Sequence, residues 1–120
     1  MEKELDKEQP ELVLANLDRC TDGDPDFRRE LAVLLANNII ELMANMESAL
    51  EKKDAGIFIR AVHKTKTTLS ILNDSEINDR VSFIQKKLKE SPTEDLSQIA
   101  KVLKNRCDKA VVILNGLSAA

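Results

Sequence analysis

The chain has no tryptophan and no tyrosine, and only three phenylalanines, three glycines, three prolines, two cysteines and one histidine. Aromatic residues help build sheets, and their scarcity in a chain filled with Leu, Ala, Lys, Glu, Ile and Asn points to helices. A basic excess is also missing: 18 Lys and Arg stand against 21 Asp and Glu, a net charge of −3. Without a cationic field, nucleic acid is not an expected partner. No apolar run approaches the roughly 18 residues of a membrane span, and residues 1–9 lack the apolar stretch of a signal peptide. A cytoplasmic protein with no membrane partner is therefore expected. Cys20 and Cys107 have no metal-ligand spacing and no second histidine to recruit, so no metal site and two reduced thiols are the reading, with a disulfide between them left open.

What is present suits one domain. At 120 residues, 42% hydrophobic and 32% charged, the chain can bury a core without covalent staples. Residues 1–9 read as a flexible N-terminus and 10–118 as a single helical domain. Pro10 opens a short helix to about Arg19, with Leu12, Val13 and Leu17 as a small apolar patch. The run from Cys20 to Asp24 is a break, marked by Gly23 and acidic turn residues. Asp24-Pro25-Asp26 is a strong helix start, with a capping Asp, Pro at the first helical position and an acid at the positive end of the dipole. Phe27, Leu31, Leu34, Leu35, Ile39, Leu42, Met46 and Leu50 then recur at spacings of three and four, a long amphipathic helix ending near residues 51–54.

Asp54 caps the next helix in this reading. Its inward stripe is Phe58, Val62, Thr65, Leu69 and Leu72, and Asn73 ends it in a left-handed conformation. Asp74 or Ser75 caps a third main helix with Ile77, Val81, Ile84 and Leu88 inward; Lys86, Lys87 and Lys89 suit its negative end. Ser91-Pro92-Thr93-Glu94 fits a capping box opening a fourth, which carries Leu96, Ile99, Leu103, Ala110, Ile113 and Leu117 and ends with help from Gly116. On it Lys101, Lys104 and Arg106 read as solvent-facing. The expected fold class is all-α, an antiparallel four-helix bundle with a short additional N-terminal helix.

The lone histidine, His63, lies on a second stripe of the 54–73 helix with Ile59, Lys66, Thr67 and Ser70. Four of these five are polar, so the stripe faces water, and Val62 and Thr65 already hold the inward positions. An exposed neutral imidazole accepts a phosphoryl group on a ring nitrogen without a local base, because its lone pair is free. The product carries close to two negative charges, which a lysine one turn away offsets. Lys66 has that spacing; Lys64 is displaced around the helix. Ile59 is a docking residue if exposed and ordinary core if partly buried.

With His63, Lys66, Thr67 and Asn73 so placed, and an Asp22-Gly-Asp-Pro-Asp-Phe opening upstream, the chain resembles a histidine-containing phosphotransfer domain over roughly residues 12–117. The resemblance implies His63 as phosphoacceptor and Lys66 as its electrostatic support. It also implies a partner surface of Ile59, Lys64, Thr67 and Ser70. The partners it implies are response-regulator receiver domains or a hybrid histidine kinase, with magnesium bound by the receiver and no cofactor in this chain. Two positions depart from the family pattern: Thr65 stands where leucine is usual and Thr67 where glycine is preferred. The segment from Phe58 to Leu69 is also similar to the phosphorylated helix of a sensor kinase's dimerisation domain, but Lys64 replaces the activating acid and Thr68 the proline. No glycine-rich nucleotide loop is present, so a phosphoryl carrier is expected rather than an ATP-using kinase. A third reading, from another class, is a degenerate helical adaptor that binds receivers without accepting phosphate.

Overall fold

The computed structural model describes residues 9–119, and within them every regular element is a helix. These are α1 (Gln9–Thr21), α2 (Pro25–Lys52), α3 (Ala55–Lys64), α4 (Lys66–Leu72), α5 (Ser75–Glu90) and α6 (Ser97–Ala119). The all-α expectation holds for the described residues. The N-terminal segment expected to be flexible lies outside them, except Gln9. That residue is buried and opens α1 rather than preceding it.

Local chemistry sets most boundaries. Asp24 accepts from the backbone N–H groups of Asp26 and Phe27, with Pro25 at the first helical position of α2. Asp54 accepts from Gly56 N–H at 2.9 Å at the start of α3. Asp74 does the same for Glu76 and Ile77 at the start of α5. Each cap satisfies amide donors that have no partner inside the helix. Lys53 and Asn73 take left-handed conformations, φ 52° and 48°, and end α2 and α4.

Three expectations fail at helix ends. The long helix expected over 54–73 is divided at Thr65 into α3 and α4. The fourth main helix does not start at Ser91, because Ser91 and Glu94 close a turn through Glu94 N–H to Ser91 C=O at 2.9 Å. Asp95 caps instead, accepting from Ser97 N–H at 3.0 Å. That bond, with one from the Ser97 side chain, holds the Asp95 carboxyl below its ordinary value. Gly116 does not end α6, which continues to Ala119.

Packing closes a ring: α2 lies against α3 and α6, and α5 lies against α3 and α6. The most extensive contact is α2 on α6, while α1 touches α2, α4 and α6. At the centre are Leu17, Leu35, Ile39, Leu42, Met46, Phe58, Ile77, Ile84, Leu103 and Leu114, all essentially inaccessible. Each such side chain contributes about 1.5–3 kcal/mol on burial. Phe27 and Leu34, expected in the inward stripe of α2, are 48% and 54% exposed. Ala32, Ala36 and Ala49 occupy inward positions instead. In α3, Ala61 is buried and Val62 only partly so.

A polar cluster joins three elements at one end. The buried Asp74 carboxylate accepts from Arg106 Nε at 3.0 Å and Gln9 Nε2 at 3.3 Å through the oxygen not used for capping. Arg106, expected to face solvent, is therefore drawn inward and also lies 3.7 Å from Glu76.

Candidate functional site

The site follows from how α3 stops. Thr65 has φ −99° and ψ 14°, against about −63° and −42° in a regular helix. Its hydroxyl donates to Ala61 C=O at 2.9 Å, with a longer contact to Val62 C=O at 3.4 Å. A threonine that bonds back to the preceding turn in this way bends its helix. The packing partners differ on the two sides of the break: α3 lies against α2 and α5, whereas α4 lies chiefly against α1 and more lightly against α2. At seven residues α4 is too short to persist alone. It is held by burial of Leu69 and Leu72, and at its end by Asn16 of α1, whose Nδ2 donates to Leu72 C=O at 2.9 Å.

His63 is exposed in the last turn of α3, and its side chain has no hydrogen-bond or ion-pair partner among the described residues. Lys66, Thr67 and Ser70 are also exposed, and Thr65 points inward. The polar part of the predicted stripe thus faces water. Ile59 is half-buried, the case in which it reads as ordinary packing rather than as a docking residue. Lys66 is separated from His63 by the Thr65 break, and their relation is not that of two residues one turn apart on a straight helix. Lys64 turns sideways to Glu41 of α2, Nζ to Oε2 3.1 Å. Arg60 shares the exposed face three residues before His63 within unbroken helix. Its guanidinium lies back over Gly56, with Nη1 3.1 Å from where a Cβ would stand there.

Sequence reasoning passed over two residues beside this surface. Asn38 of α2 donates from Nδ2 to Thr68 Oγ1 at 2.8 Å, and Glu41 one turn on pairs with Lys64. Asn37-Asn38 interrupts an otherwise apolar run from Leu31 to Ile40, the signal from which Asn38 was legible.

The arrangement offers one exposed imidazole without a side-chain partner among the described residues, with Lys66, Thr67 and Ser70 exposed across the break on α4. Among the described residues, no three His, Cys, Asp or Glu side chains gather as a metal site. No described helix is long and apolar enough to cross a membrane. Cys107 is buried and free, its thiol pushed up to about 12 mainly by that burial and then by the charges of Asp74 and Asp108; Cys20 is free and exposed. No protein-family model, no curated protein and no solved structure matches the chain.

Proposed function

We propose that this chain is a histidine phosphocarrier, exchanging a phosphoryl group between His63 and the aspartate of a receiver domain. The observation that carries the reading is the exposed imidazole of His63, free of side-chain partners, on a surface that also presents Lys66. The ring of α2, α3 with α4, α5 and α6 is read as a four-helix bundle with α1 laid against it, a rigid stage for one nucleophile.

In the forward step a ring nitrogen of His63 attacks phosphorus of an acyl phosphate. The N–P bond forms, the P–O bond to the aspartyl carboxylate breaks, and the carboxylate leaves with the electron pair. The proton on the second ring nitrogen passes to water as the phosphorylated ring returns to neutrality. No base in this chain is required, because the attacking lone pair is already free. Magnesium belongs to the receiver, where it offsets charge on the transferring group. Lys66 supplies charge-assisted contact to the product.

Incubation with a phosphorylated receiver and magnesium tests the reading: acid-labile phosphate appears on the wild-type chain and not on His63→Gln. A receiver that binds without transfer would favour the adaptor reading. Phosphorylation by ATP alone would favour the kinase fragment.

A further inference from the structure

Two bonds from consecutive turns of α2 straddle the break at Thr65. Glu41 holds Lys64, the last residue of α3, and Asn38 holds Thr68, in the first turn of α4. The two bonds differ in kind. Lys64 and Glu41 side chains are 69% and 49% exposed, and such a pair contributes little. Thr68 is buried and its bond to Asn38 is partly buried, where an unpaired amide is costly. Because α4 is short and joined to α3 through the non-helical Thr65, the position of Lys66 against His63 depends on what fixes the start of α4.

We infer that Asn38 is a positioning residue for phosphoryl transfer: through Thr68 it sets the first turn of α4, and with it Lys66, relative to His63. Asn38 itself touches neither His63 nor the transferring group. Its bond acts from the far side of α4, and Asn16 at Leu72 fixes the other end of the same element. The short helix is thereby held at both ends by amide side chains from two different neighbours. This role rests on the phosphoacceptor reading of His63.

The test is single-turnover transfer from a phosphorylated receiver, separating the maximal rate from the receiver's dissociation constant. Asn38→Ala and Thr68→Val should each lower the maximal rate about three- to fivefold, as a small misplacement of a charged group does. The dissociation constant should stay unchanged, and circular dichroism should remain helical. Thr68→Ser, which keeps the hydroxyl, should restore the wild-type rate. In a Lys66→Ala background neither Asn38→Ala nor Thr68→Val should slow transfer further. A merely structural Asn38 would lower the melting temperature and leave the maximal rate alone, or would slow transfer equally with and without Lys66. Either result overturns the inference. Should Asn38→Ala fail to fold, the near-isosteric Thr68→Val with its Thr68→Ser rescue decides. If wild type accepts no phosphate on His63, the carrier reading itself fails, and that outcome is distinct from normal transfer by the Asn38 variant.

Discussion

The hydroxyl of Thr65 donates to the carbonyl of Ala61 at 2.9 Å, two residues before the histidine. The same carbonyl also accepts the Thr65 backbone N–H at 3.0 Å. One acceptor thus serves two donors where α3 gives way to α4. The polar side chain bends the element on which the candidate chemistry sits. Thr65→Val removes the hydroxyl and leaves the carbonyl its backbone donor. Stability should therefore change by no more than about 1 kcal/mol in urea denaturation. A loss above about 3 kcal/mol would show that the hydroxyl holds more than a local bend.

Lys66 and Lys64 should separate in their effects. Lys66→Ala removes a cation with no side-chain partner among the described residues. It should slow transfer or shorten the phosphohistidine lifetime by about tenfold, the low end for a charge-assisted contact because the site is exposed. Lys64→Ala breaks an exposed pair with Glu41 and should change either quantity by less than about threefold. Equal effects would remove the distinction. Phosphate decay followed by neutral-pH mass spectrometry measures both.

Thr67 is exposed, four residues after His63 and across the Thr65 break. Thr67→Gly should speed transfer at limiting receiver concentration by opening the approach to His63. It should also cost about 0.3–0.5 kcal/mol of helix stability, the difference between glycine and an already poor helix former. A slower variant with intact fold would mean that Thr67 contributes contact rather than obstruction.

Asp74 both caps α5 and accepts Arg106 and Gln9. Asp74→Ala should destabilise by about 2–4 kcal/mol, since it removes a cap and leaves a partly buried guanidinium without its main acceptor. Asp74→Asn keeps a capping oxygen and should lose roughly half as much. Equilibrium urea unfolding distinguishes them; a loss below about 1 kcal/mol for alanine would contradict the assigned roles.

The two thiols give a pH prediction. Burial raises Cys107 to about 12 from 9.0. A folded pKa above the unfolded one means that this stability is complete below about pH 9 and lost as pH rises towards 12. At neutral pH a thiol reagent should modify Cys20 alone in the native chain and both after denaturation. Rapid native labelling of Cys107 would contradict its burial.

Much of this architecture is legible from short-range chemistry. Asp24, Asp54 and Asp74 cap helices because their carboxylates reach amides two and three residues on, and Asn73 tolerates φ 48° where a helix must end. Such bonds need no knowledge of the rest of the chain. The exposure of His63 was legible from helical spacing, because Val62 and Thr65 take the positions that turn away from water. The break at Thr65 was not, because a 3.6-residue period continues across it; the back-bond from the Thr65 hydroxyl and the docking of α4 on α1 exist only in the folded chain. Phe27 and Leu34 misled because spacing cannot tell which flank of an apolar stripe receives a neighbour. Alanines at 32 and 36 carried that information in their small size. At Ser91 a tight turn competed with a helix start, and burial of Leu96 favours the start that Asp95 caps.

Mixing the purified chain with magnesium and receiver domains charged with an acyl phosphate, then mapping acid-labile phosphate at neutral pH, decides whether His63 is a phosphoacceptor. Phosphate should appear on the wild-type chain at His63 and not on His63→Gln, with matching loss from the receiver. Identical behaviour of wild type and His63→Gln, with no phosphate on His63 from the cognate receiver, would contradict that role.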